Sequence, residues 1–328
     1  MRFREIDGLR GLAVLAVVTY HMSINASRPF ALGARGVDLF FVISGLCLSL
    51  PSLTRLHAGK PFEFGLSRFA LNRLWRIAPP YWVAIALFGL LSVTPFGVPS
   101  NGGSAHPLEL AQDASIFLTG LRPTYNPSFW TLGIEARWYL VFPAVLLVYT
   151  KSKLGFAAIA VIAYIWYNSP FGAADLGTLP CFMLGIVAAD LFVRGHARHA
   201  IWVPAAIVAF TTAAYVERTS DHGAPIWQAA AFLTVIAGLG VGSKVMSWWP
   251  LVFVGGASYS IYLVHGPIMT WLVHKGLNPL PSAFVGVCAG ILFWGCIEIP
   301  ALKMSARLRL PLTATDTQSH LSNRRLET

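Results

Sequence analysis

Residues 36–51 read GVDLFFVISGLCLSLP, sixteen positions that carry a single charge, Asp38. A run so apolar on every face reads as a membrane span rather than as one half-buried helix of a soluble domain. Working outward from it, comparable windows recur near 9–24, 80–98, 129–150, 154–169, 176–193, 201–216, 226–242, 250–273 and 280–300. Together they make about ten spans of roughly 20 residues. The composition agrees: 55% of the 328 residues are hydrophobic and only 12% charged, about half the charge of an ordinary soluble domain. The predicted fold is all-α, a polytopic transmembrane helix bundle of about ten helices. Residues 1–310 form the transmembrane domain, and 311–328 form a polar, disordered cytoplasmic tail. No room remains for a sizeable soluble domain.

The formal net charge of +10 could suggest nucleic acid, but the basic residues are dispersed between apolar runs, which excludes a nucleic-acid interface. In a membrane protein they anchor cytoplasmic loops. Counting loops alternately puts roughly 18 Lys and Arg on the side of the N-terminus and about five on the other, so both termini are predicted to be cytoplasmic, in a bacterial inner membrane. Arg2, Arg4 and Arg10 precede the first apolar run and Ala26 follows it, as in a signal peptide. Ile24 and Asn25 make a poor cleavage site. Cys47, Cys181, Cys288 and Cys296 lie in apolar stretches without metal-ligand spacing and read as buried, inert thiols, so no metal is expected.

Between the second and third spans, Phe62 to Ala78 alternates Phe64, Phe69, Leu71, Leu74 and Trp75 with Arg68, Arg73 and Arg76. It reads as an interfacial helix on the cytoplasmic surface, closed by Pro79 and Pro80. Residues 99–128 form the longest outer connection, with a short helix predicted near Leu108–Thr119. There is no internal repeat, which removes one sign of a transporter.

Ionisable side chains inside a bilayer default to a functional reading, with structural ion pairs as the competitor. Arg10 and His21 lie eleven residues apart on the first span, hence on nearly one face and about 16 Å apart. Asp38 begins the second span, so His21 and Asp38 can meet across the hairpin. A carboxylate there fixes the imidazole tautomer, as a general base acting on a hydroxyl requires. The same pair could simply join two helices. In WTLGIEARWYL, Glu135 and Tyr139 share a face at i and i+4, while Arg137 points elsewhere. In GASYSIYLVHGP, Ser258, Tyr262 and His265 form one stripe that lines a polar cavity or packs helices. Ser44 and Gly45 read as a close helix approach, because no nucleophile elbow surrounds the serine. Arg73 and Arg76 at i and i+3 suit phosphate oxygens, either of a ligand or of lipid headgroups.

Taken together, these residues resemble acyltransferase family 3, a family of integral membrane acyltransferases, from about Glu5 to Arg309. The resemblance rests on DGLRGLAVLAVVTYH with Arg10 and His21, GVDLFFVISGL, RLWRIAPPY, FWTLGIEARWYLVFP, SYSIYLVH and EIP. Their order and spacing are far more specific than any one of them. Two departures stand out: Ala136 and Arg137 occupy places where a second acidic residue and a glutamine are common, and Leu46 replaces a familiar phenylalanine. The resemblance implies about ten helices that move an acyl group, commonly acetyl, from cytoplasmic acyl-CoA to a hydroxyl of an envelope or exported carbohydrate. Acyl-CoA is then a substrate, with no bound cofactor.

On that expectation His21, Asp38 and Glu135 are catalytic, and Arg10, Arg73 and Arg76 hold the phosphates of acyl-CoA. Tyr139, Ser258, Tyr262 and His265 bind the acceptor or stabilise the oxyanion. The expected partners are acyl-CoA, a carbohydrate acceptor and the lipid bilayer. Glu298 fits the family's closing motif but also suits a structural pair with Lys303 or Arg307. The alternative class is a proton-coupled secondary transporter or exporter, with His21, Asp38 and Glu135 as a proton relay and the arginines attracting an anionic substrate.

Overall fold

The computed structural model describes residues 3–23, 28–62, 64–92, 113–118, 126–170, 173–219 and 224–305. Among them the chain is helical throughout, with twelve α-helices and no strand. They are α1 (Arg4–Ser23), α2 (Gly36–His57), α3 (Leu66–Ser92), α4 (Trp130–Lys151), α5 (Lys153–Tyr167), α6 (Ala174–Val193), α7 (Trp202–Thr219), α8 (Ala224–Leu239), α9 (Ser243–Met246), α10 (Trp249–Gly256), α11 (Ser258–His274) and α12 (Pro279–Phe293). The predicted disordered tail, 311–328, lies outside the described residues, as does half of the predicted 108–119 helix.

The described part of each predicted window is largely helical, while fewer than the expected ten or so segments have the length and composition of a crossing among the described residues. Among the described residues, five segments are long and apolar enough to cross a membrane: Leu32–His57, Phe69–Leu91, Trp130–Lys151, Ala174–Val193 and Pro279–Ser305. A sixth is added if the bent pair α10 and α11 counts as one span. Helices α5, α7 and α8 are apolar but short, and α1 carries Glu5, Asp7 and Arg10 in its opening turns. The window read as one span over 250–273 is broken at Ala257, where α10 and α11 meet at 73°. The Gly255–Gly256 pair that ends α10 is the local cause. Beyond α12 the chain widens into a π-turn, Trp294–Glu298, before its last helical residues.

The cytoplasmic interfacial helix is likewise replaced. Helix α3 starts at Leu66 and runs unbroken through Pro79 and Pro80. The prolines supply no N–H to the carbonyls of Trp75 and Arg76, a loss that a helix in a membrane bundle tolerates. The amphipathic sense is also reversed. Leu71 and Leu74 are 41% and 50% exposed, whereas Arg73 and Arg76 turn into a cavity. A helix bordered by lipid puts its aliphatic side outward and its cations inward, opposite to a helix lying on the surface.

Two apolar cores flank this cavity. One gathers Leu39, Ile43, Leu46, Phe182, Ile186 and Val235 from α2, α6 and α8. The other gathers Val14, Val17, Tyr81, Phe88, Ile261 and Leu263 from α1, α3 and α11. In the first, α2 and α6 cross backbone to backbone at Gly45 and Gly185, where a Cβ on Gly185 would stand 2.8 Å from the Gly45 Cα. Gly45 thus makes the close approach read from the sequence, while Ser44 turns toward α4. The described part of the long connection docks on α3, with the Tyr81 hydroxyl donating to the Asp113 carbonyl at 2.7 Å and the Trp82 indole N–H to Ala114 at 3.0 Å.

Candidate active site

Two chambers open along the seam between the cores. The first brings together Arg10 of α1, Ser44 of α2, Arg73 and Arg76 of α3, Glu135 and Tyr139 of α4, and Ser258 and Tyr262 of α11. The three arginines, 63 residues apart along the chain between Arg10 and Arg73, therefore share one space. The Arg73 guanidinium lies over the Tyr139 ring at 5.6 Å. Arg10 reaches Asp7 at 3.8 Å and donates to the Cys47 sulfur at 3.5 Å.

Glu135 is the acidic side chain on the wall of this chamber. One of its carboxylate oxygens accepts from the Ser44 hydroxyl at 2.7 Å and also from the Tyr139 hydroxyl. Arg137 is engaged elsewhere: its Nε and Nη2 meet the two oxygens of Asp175 at 2.7 and 3.2 Å, and Nη1 donates to the Phe117 carbonyl at 2.8 Å. Behind the chamber Glu298, 2% exposed, accepts from Ser260 at 2.6 Å and sits within electrostatic range of Arg76 and Arg10. The expected pairing of Glu298 with Lys303 is corrected, since Lys303 is exposed and Ser260 is the recorded partner; Arg307 lies outside the described residues. Three guanidiniums converge on one cavity, with Asp7, Glu135 and Glu298 beside them, and their forked donors suit phosphate oxygens.

The second chamber holds His21, Asp38, Arg35, Ser128, Trp130 and Thr178. Tyr262 and Val37 line both chambers. The Thr131 and Tyr262 hydroxyls share a hydrogen bond at 2.7 Å, and Thr131 Oγ also lies 3.1 Å from the Ser128 carbonyl oxygen. That bond and an edge contact to Phe40, ring centres 5.9 Å apart, hold the Tyr262 ring as the partition.

The predicted contact between His21 and Asp38 is not formed. The two line the same chamber, but Asp38 faces Arg35 at 3.8 Å and accepts from the Cys181 thiol at 3.8 Å. Arg35 itself is drawn to Glu217 at 2.8 Å. Hairpin geometry placed the carboxylate at the right level but could not foresee these competitors on α6 and α7. The partner of His21 is instead His265, with His21 Nδ1 2.9 Å from His265 Nε2, and His265 Nδ1 2.7 Å from the Ile261 carbonyl oxygen. The α11 stripe thus divides. Ser258 lines the first chamber, Tyr262 the partition, and His265 the back of His21.

Sequence reasoning missed Ser44, Thr131, Arg35 and Ser128 as members of this site. Ser44 and Gly45 lie side by side, and only the packing shows that one approaches a helix while the other meets a carboxylate. Arg35 was visible as a loop charge; nothing in the sequence marks Ser128.

The family model of acyltransferase family 3, described as an acyltransferase domain, matches residues 3–298. Among curated proteins, the chain is 25% identical over 310 residues to the peptidoglycan O-acetyltransferase OatA of Listeria monocytogenes, covering 81% of this chain and 49% of that protein. It is 23% identical over 310 residues to the putative peptidoglycan O-acetyltransferase YrhL of Bacillus subtilis, covering 80% of this chain and 48% of that protein. With the putative membrane-bound transacylase BcsY of Komagataeibacter xylinus, identity is 28% over 297 residues, or 81% of this chain and 72% of that protein. The chain spans about half the length of the first two. No solved structure matches it. The match across nearly the whole chain, together with the membrane-span helices, makes this integral membrane protein a member of acyltransferase family 3.

Proposed function

We propose that the protein transfers an acetyl group from cytoplasmic acetyl-CoA to a hydroxyl of an envelope carbohydrate, in a bacterial inner membrane with both termini cytoplasmic. One observation carries this reading: a chamber of three arginines abuts a chamber containing a histidine, with a single tyrosine between them. Arg10, Arg73 and Arg76 bind the phosphates of CoA, and the pantetheine arm runs past Tyr262 toward His21. The eleven-residue rise from Arg10 to His21, about 16 Å on a straight helix, is of the length that arm requires. The relatives named as O-acetyltransferases support acetyl as the group moved and a glycan as the acceptor.

His21 acts as the base. The Ile261 carbonyl can only accept, so His265 carries its proton on Nδ1, and neutral His265 presents a lone pair on Nε2. His21 Nδ1–H donates to that lone pair, which leaves His21 Nε2 unprotonated. That nitrogen takes the proton of the acceptor hydroxyl as its oxygen bonds to the thioester carbonyl carbon. When the C–S bond breaks, the proton passes from His21 to the departing thiolate, and CoA leaves as the free thiol. His265 is the positioning residue in this scheme, in the role that Asp38 was expected to fill. Glu135, fixed by Ser44 and Tyr139, balances the arginine charge beside the donor.

The test uses purified protein and its His21→Ala variant, both shown to be folded, incubated with radiolabelled acetyl-CoA and cell-envelope glycan. Hydroxylamine-releasable label on the glycan with the unaltered chain only is the expected result. Equal labelling by His21→Ala would remove His21 as the base.

A further inference from the structure

Among the described residues, three buried polar side-chain atoms have no hydrogen-bond partner: Ser128 Oγ, Arg35 Nε and Trp227 Nε1. Ser128 and Arg35 both line the chamber of His21. The third atom is near by, since the Arg35 guanidinium lies 5.5 Å from the centre of the Trp227 ring. Buried donors left without partners are rare in folded proteins, and each is a place where a ligand can supply what the fold does not. Two of the three belong to residues that line the His21 chamber, which marks it as a place for a polar guest.

Ser128 is the most telling of them. The residue is 2% exposed, and its backbone is held from both sides. Its N–H donates to Asn126 Oδ1 at 2.9 Å, and its carbonyl accepts from Thr131 at 3.1 Å. Asn126 in turn donates to the Leu263 carbonyl at 3.0 Å, two residues before His265. The hydroxyl is therefore fixed to the same stretch of α11 that orients His21. A Cβ on Gly266 would stand 3.5 Å from Ser128 Oγ, so the hydroxyl lies against the residue that follows His265. The fold anchors every backbone polar group of Ser128 and leaves its O–H unused.

Acyl transfer needs a donor at the carbonyl oxygen, where negative charge develops as the acceptor oxygen adds. Tyr262, expected from the sequence as a candidate, is already engaged by the Thr131 hydroxyl at 2.7 Å, whereas the Ser128 hydroxyl has no partner. We propose that Ser128 Oγ–H donates a hydrogen bond to the thioester carbonyl oxygen in the His21 chamber and stabilises it as an oxyanion in the tetrahedral intermediate. The oxygen gains charge as the new C–O bond forms, and returns to a carbonyl when the C–S bond breaks. The serine keeps its proton throughout and forms no covalent bond. The proposal rests on the reading of His21 as the base.

The experiment compares the unaltered protein with Ser128→Ala, Ser128→Cys and His21→Ala, using radiolabelled acetyl-CoA and cell-envelope glycan, with melting temperatures for each. Ser128→Ala is expected to lower turnover about 100-fold, the scale of removing one oxyanion donor, with the acetyl-CoA KM within about twofold. Its melting temperature should stay level or rise, because a buried hydroxyl without a partner is replaced by hydrogen. Ser128→Cys, a weaker donor, should fall between. Full turnover in Ser128→Ala while His21→Ala is inactive would overturn the Ser128 assignment alone. Parallel losses of turnover and melting temperature would make Ser128 structural and overturn it as well. Equal transfer by His21→Ala and the unaltered chain, or none by either, would overturn the underlying reading.

Discussion

The two chambers share a wall, yet they are polar in opposite ways. The arginine chamber is rich in charge: three guanidiniums line it with the carboxylates of Asp7, Glu135 and Glu298 beside them, and Ser44 and Tyr139 both donate to Glu135. The histidine chamber is nearly neutral, with Arg35 balanced by Asp38 and Glu217, but two of its buried donors are unspent. Clustered guanidiniums suit a polyanion, whereas free hydrogen-bonding capacity in a low-dielectric space suits a transient charge. Under the proposed function the contrast separates binding from chemistry within one seam, and it can be broken by variants on either side of Tyr262.

The largest effect is expected from His21→Ala, a loss of about 10²- to 10⁴-fold in turnover, the range of a general base, read as glycan-bound label at saturating acetyl-CoA. Next comes His265. Replacement by leucine removes the acceptor for His21 Nδ1–H and should lower turnover about 100-fold, while glutamine, whose amide oxygen can accept in the same place, should recover most of that loss. Equal losses in both would mean that His265 does more than hold the tautomer. On the other side of the partition, replacing Arg73 and Arg76 together by alanine should raise the acetyl-CoA KM at least tenfold through lost charge-assisted contacts. Turnover at saturation should change much less; an unaltered KM would return these arginines to lipid headgroups.

Two smaller effects sharpen the picture. Asp38→Asn should leave turnover within about fivefold, because Asp38 meets Arg35 and Cys181 and not His21; a loss as deep as that of His21→Ala would restore the catalytic pairing expected from the sequence. Arg137→Ala should cost below about 1 kcal/mol of stability, as a partly exposed ion pair with Asp175 does, and should hardly change transfer. Denaturation and label incorporation, measured side by side, check both.

How far the site was legible depends on the scale of the contact. Arg10 and His21 stand on one helix, so helical periodicity alone sets their separation. Ser258, Tyr262 and His265 were likewise a visible stripe, although the stripe could not say that His265 would turn to α1. Asp38 shows the limit: its level followed from the hairpin, but its partner was decided by Arg35 and by Cys181 on another helix. The prolines of α3 show another. They are local helix breakers, and membrane packing carried the helix through them. That continuity turned Arg73 and Arg76 inward.

Composition and periodicity, being properties of the chain itself, determined that this is an all-helical membrane protein with polar residues stored in its apolar segments. The order of its motifs determined the family. Only the tertiary structure decided how many segments are long enough to cross, that three arginines share one chamber, that a second histidine orients the first, and that Ser128 is left with a free hydroxyl. Those outcomes depend on which side chain wins each hydrogen bond among helices distant in sequence, and a periodic pattern carries no information about that competition.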